Sequence, residues 1–121
     1  MDLRNNLYTI TSGDRENGAF SIFLNTDSVI YAAHFPEMPI TPGVCVIQMV
    51  KELAEEMLDK KLSMASIKNA KFLKVLQPNG QEICVNITVK AREERTISFQ
   101  SVISDKENNV YAKISLQATI E

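Results

Sequence analysis

Apolar and polar residues alternate with period two over most of the chain and with a period near 3.6 over one stretch in the middle. In Ile83/Val85/Ile87/Val89, in Ile97/Phe99/Ser101/Ile103 and in Val110/Ala112/Ile114/Leu116/Ala118/Ile120, every second side chain falls on one face. That spacing predicts strands over 82–91, 95–104 and 110–120, with a further strand over 67–76. Near the N-terminus, residues 7–11 and 19–25 are rich in β-branched and aromatic side chains. The polar stretch 12–18 between them predicts a hairpin. Residues 26–33 then read as a bridge. The later breaks carry turn chemistry at Pro78-Asn79-Gly80, at Arg92-Glu93-Glu94 and over 105–109, and such short connections predict antiparallel neighbours.

The helical period covers 45–61. Val46, Val50, Leu53 and Met57 recur at helical spacing, and Ile47, Ala54 and Leu58 widen the stripe. Lys51, Glu55, Glu56, Asp59 and Lys60 mostly take the other side. A helix apolar over so much of its circumference requires a sheet curled around it rather than a flat layer on one side. One helix against about six strands is an α+β architecture.

The chain has 121 residues, which suits one domain over 1–121 with a core that needs neither disulfide nor metal. A net charge of −2, with the basic residues unclustered, gives no footprint for nucleic acid. No apolar run reaches the length of a membrane span, and the start of the chain lacks the apolar core of a secretory signal. Cys45 and Cys84 lie far apart among apolar neighbours and read as two buried free thiols. One histidine and two distant cysteines supply no short-spaced ligand pair, so no metal is expected. The expected setting is cytoplasmic.

The segment His34-Phe35-Pro36-Glu37-Met38-Pro39-Ile40-Thr41-Pro42-Gly43-Val44 holds the single histidine and three of the four prolines. Prolines at spacing three fix φ and remove donors, so the segment is a stiff loop. The helix after it offers its first N–H groups, at Gly43 and Val44, close in sequence to the imidazole. A titratable group beside a helix N-terminus suits proton transfer next to developing negative charge. By itself the loop also fits a docked polyproline segment or a plain connection.

The full string, followed by an apolar helix and then four strands, resembles the 3-hydroxyacyl-[acyl carrier protein] dehydratases. The resemblance implies the hotdog fold, with a curved antiparallel sheet wrapped around a long central helix. It also implies water elimination from a 3-hydroxyacyl thioester of acyl carrier protein or coenzyme A, without metal or redox cofactor, by a homodimer that shares each active site across its interface. His34 matches the general base that takes the C2 proton. Gly43 matches the glycine whose N–H meets the thioester oxygen, and Phe35, Pro42 and Val44 fall beside it against the substrate.

The family's helix carboxylate, which protonates the departing hydroxyl, falls on Gln48. An amide cannot deliver that proton. Glu52 lies one turn on, so the family's Glu-x-x-x-Gln order is exchanged. Two readings stay open for Glu52: an acid in the same cavity acting through a water held by Gln48, or a solvated surface residue. The departure at Gln48 also leaves open a non-catalytic acyl-thioester-binding subunit and a hotdog thioesterase. Among the neighbours, Glu37 reads as exposed and Cys45 as packing, although a helix N-terminus can lower a thiol pKa. Tyr31 reads as a half-buried strand residue or part of the substrate entrance. Ala33 stands where the family often has glycine. Met49, Met57 and Met64 read as core or as an adaptable acyl lining.

Overall fold

The computed structural model describes residues 2–33 and 37–121. Its elements run β1 (Tyr8–Asp14), β2 (Ala19–Leu24), α1 (Val29–Ala33), α2 (Gly43–Leu58), β3 (Leu62–Phe72), β4 (Ile83–Glu93), β5 (Thr96–Asp105) and β6 (Val110–Ile120). All six strands form one antiparallel sheet in the order β1-β2-β4-β5-β6-β3. The sheet curls around α2, as the wide apolar face of the helix predicts, and this is the hotdog arrangement that the resemblance implies.

The core is the meeting of α2 with the inward rows of the strands. Val46, Met49, Val50, Leu53 and Ala54 are buried on the helix, against Ile83, Val85 and Ile87 of β4, Ile97, Phe99 and Ile103 of β5, and Ala112, Ile114, Leu116 and Ala118 of β6. Each large apolar side chain so buried contributes about 1.5–3 kcal/mol relative to exposure. Only Val44 is freely exposed along α2, so the wrap leaves almost no solvent face. Val89 breaks its row at 39% exposure.

Two expectations need correction. Strand β3 does not neighbour β4; it pairs with β6 and closes one edge of the sheet. The stretch from 73 to 82 is long enough to cross the sheet end, where Leu73 and Lys74 donate to the Tyr111 carbonyl and Thr41 donates to that of Leu76. β3 also begins at Leu62, directly after the helix. Asp59 ends α2 in the left-handed region at φ 53, and Glu55 Oε2 accepts the Leu62 N–H at 2.8 Å, which turns the chain straight into the strand. The second concerns the bridge before the proline loop, whose last five residues form the short helix α1, so Tyr31 is helical rather than a strand residue.

Gly18 fixes the hairpin to the rest of the sheet. Its φ is +66°, and its carbonyl accepts the Ile87 N–H at 2.7 Å, so a side chain here would run into the Ile87 carbonyl oxygen. Ser101 sits in the inward row of β5 with no exposure, and among the described residues its hydroxyl has no partner. Among the described residues no helix is long and apolar enough to cross a membrane.

Candidate active site

Pro42 caps the N-terminus of α2 in extended conformation, φ −60° and ψ 144°, and its carbonyl accepts from Cys45 and Val46 at 3.0 and 3.1 Å. Proline offers no side-chain oxygen, so the first-turn N–H groups of Gly43 and Val44 receive no side-chain cap from it. Beside them a cavity of about 210 Å³ opens between the helix start and the sheet, lined by Ile40, Thr41, Val46, Phe72, Val75 and Tyr111 among others. The absence of a side chain at Gly43 admits the Phe72 ring, since a Cβ there would lie 3.0 Å from its Cζ. An apolar trough that ends on uncapped helix N–H groups suits an acyl chain whose carbonyl gathers negative charge.

The loop is clamped at both ends. Tyr31, buried on α1, shares a hydrogen bond of 2.7 Å with Thr41 Oγ1, and the Thr41 N–H donates to Leu76 at 2.9 Å. Tyr31 is therefore a helical clamp, neither a strand residue nor a free entrance ring. Burial pushes its hydroxyl pKa up, while the bond to Thr41 pulls the other way. His34 and Phe35, the expected base and its neighbour, lie outside the described residues. Glu37 is exposed, as expected.

Gln48 is half-buried on α2, and its Nε2 donates to Glu52 Oε2 at 2.9 Å. Glu52 departs from one of its two readings. It is 8% exposed, so it is no solvated surface residue, and it does not line the apolar cavity at Gly43. Its carboxylate also accepts from the backbone of Leu3 at 2.8 Å, the backbone of Arg4 at 3.0 Å and Tyr8 Oη at 2.9 Å. This docking is not legible in the sequence, because the partners lie more than forty positions away. Only the polar, non-helical start of the chain hinted that something must receive its donors. Burial and the adjoining Glu52 push the Tyr8 hydroxyl pKa up.

The remaining candidates serve packing. Cys45 is buried, and burial pushes its thiol up rather than the helix start drawing it down. Cys84 is free as well, but half-buried on β4 rather than buried. Met49 lies wholly in the core, with Met57 and Met64 packed against it. Among the described residues, no cluster of His, Cys, Asp or Glu has the makings of a metal site.

The curled six-stranded sheet around α2 is the hotdog fold, with the cavity at the N-terminal end of its central helix. Residues 11–115 match the model of the ApeI-like family, described as ApeI dehydratase, and the chain belongs to that family. A 3-hydroxyacyl-[acyl-carrier-protein] dehydratase FabZ of Lactiplantibacillus plantarum is 31% identical, over 88% of this chain and 82% of its own. The corresponding FabZ of Rickettsia felis is 27% identical over 61% of this chain, and the matched part spans 56% of that relative's length. In structure, the dehydratase heterocomplex ApeI:P from Xenorhabdus doucetiae aligns with a TM-score of 0.73 at 20% identity, covering 92% of this chain and 96% of that one. The E. coli PaaI protein aligns with a TM-score of 0.69 at 11% identity, covering 98% and 83%.

Proposed function

We propose that the chain is a dehydratase of 3-hydroxyacyl thioesters, carried on acyl carrier protein or coenzyme A and converted to the trans-2-enoyl thioester. One observation carries the reading: uncapped helix N–H groups at Gly43 end an apolar trough directly after the His-Phe-Pro-x-x-Pro-x-x-Pro-Gly-Val string. Family membership and the names of the FabZ relatives support the same substrate class. In this reading the acyl chain lies along Phe72 and Tyr111, and the thioester oxygen takes the Gly43 N–H beside Pro42 and Val44. The oxygen is then stabilised as the C2 proton passes to His34. No metal or redox group is needed for this elimination.

Exposed apolar residues cluster around the mouth. Val44 is 75% exposed, Met38 63% and Val75 56%, with Ile67, Phe72 and Leu73 about half exposed along and beyond the β3 edge. Apolar surface of this kind beside an unpaired strand edge supports a second subunit seated there, as a homodimer or a related pair. We place the protein in the cytoplasm, in keeping with its free cysteines.

Incubation with 2-enoyl thioesters tests the reading. Reversible formation of the 3-hydroxyacyl thioester, abolished in His34→Ala, is the expected result. Release of free acid identifies a thioesterase instead. Binding without turnover identifies a non-catalytic subunit, the alternative that the amide at Gln48 favours.

A further inference from the structure

Helix α1 has five residues, Val29–Ala33, too few to hold a helical shape alone, so ties to its neighbours set its place in the fold. At its start Ser28 Oγ donates to Asn6 Oδ1 at 3.0 Å. Within it Tyr31 shares the 2.7 Å hydrogen bond with Thr41 Oγ1, and the two residues are only 2% and 5% exposed. Phenylalanine and valine would fill nearly the same space. Replacing both partners of a buried hydrogen bond by apolar groups of the same shape is close to neutral for stability. What the hydroxyl pair adds is direction, because a hydrogen bond fixes distance and angle more closely than apolar contact does.

Both partners stand next to the reacting groups of the proposed function. Thr41 lines the apolar cavity two residues before Gly43, and Pro42 between them has φ fixed at −60°. The Thr41 N–H donates to the Leu76 carbonyl at 2.9 Å, and Leu76 lines the same cavity. Two hydrogen bonds therefore aim the backbone that enters α2. On the other side, α1 ends at Ala33, the residue before His34. We propose that Tyr31 and Thr41 are positioning residues: their bond ties the segment that leads to the base to the helix start that donates to the thioester oxygen, and so sets the separation of the two. This inference rests on the dehydratase reading. In this role neither hydroxyl touches the substrate or moves a proton. Misplaced reacting groups cost rate more than affinity.

Hydration of 2-enoyl thioesters by the full chain tests this with four variants. Tyr31→Phe and Thr41→Val should each lower kcat about tenfold or more, with KM changed less than about threefold. The double variant should lose no more kcat than either single one, since the same bond is absent in all three, and its Tm should stay within about 3 °C of wild type. Thr41→Ser keeps the hydroxyl and should hold kcat within about threefold of wild type. The single histidine gives a readout independent of turnover. Its ring C–H signals in a carbon–proton correlation spectrum, together with the Gly43 amide signal, should shift in Tyr31→Phe and in the double variant and stay in place in Thr41→Ser. Wild-type kcat in the double variant overturns the proposal, and so does a kcat loss with both signals unmoved. A loss in Thr41→Ser as large as in Thr41→Val also overturns it, by assigning the effect to side-chain shape. If the wild type hydrates nothing, the dehydratase reading fails, and the signals alone decide: shifted ones keep the tie between the two segments, unmoved ones overturn it. Where a variant melts too low to assay, the same signals recorded on its folded fraction in the cold decide in the same way.

Discussion

Gln48 and Glu52 differ from their family pattern by an exchange of residue types, and the physical consequence is a carboxylate moved one turn along the helix into the grip of four donors. Restoring the family's carboxylate by Gln48→Glu alone should therefore harm the protein. The new oxygen would replace an amide nitrogen that stands 2.9 Å from Glu52 Oε2. Two carboxylates so close cannot both ionise cheaply, and one will hold its proton above the usual range. A carboxyl raised in the folded state gives stability that is lost as pH rises through its folded value. Thermal melts of Gln48→Glu should accordingly fall further below wild type as pH rises from about 5 to 8, and turnover should not rise. Equal pH profiles for the two proteins would contradict the contact. The sequence showed the exchange but not its cause, because the donors from Leu3, Arg4 and Tyr8 arrive from the far end of the chain.

At the scale of elements, the strands with clear alternation and the central helix were legible because burial on one face imposes a period. The limits of β6, residues 110–120, follow from the pattern, as does the wide apolar face of α2. What the pattern missed has identifiable reasons. α1 has five residues, too few to display a helical period, and its buried Tyr31 is explained only by Thr41 across the loop. β3 starts earlier than its apolar residues suggest because it is an edge strand with most of its side chains exposed. The junction of hairpin and sheet rests on Gly18, whose left-handed φ and close approach to Ile87 tolerate no side chain. Gly18→Ala should destabilise the protein by roughly 2 kcal/mol or more through strain and displaced pairing of β2 with β4. A urea titration checks this, and a midpoint unchanged from wild type would show that the turn relaxes freely.

For the whole molecule, closure of the N-terminal turn onto α2 buries a tyrosine hydroxyl against a carboxylate, and this ties stability to alkaline pH. Burial first, and Glu52 second, hold Tyr8 protonated well above the ordinary tyrosine value of 10.0. The folded state then keeps a proton that the unfolded chain releases. The stabilisation is complete below pH 10 and is lost as pH climbs above it. Chemical denaturation at pH 8 and pH 11 should show a smaller loss in Tyr8→Phe than in wild type, with Tyr31, also pushed up by burial, accounting for part of what remains. A wild-type curve that is flat over this range would remove the argument.

The sequence by itself determined the α+β composition and the central helix with its sheet wrap, because the hydrophobic period acts locally. It also determined that position 48 carries an amide. Tertiary structure alone decided the strand order that puts β3 on the edge beside β6, the clamp between Tyr31 and Thr41, and the docking of the N-terminal turn onto Glu52. Those three depend on groups far apart in the chain meeting in one place, where the geometry of donors and acceptors selects the residue that fits.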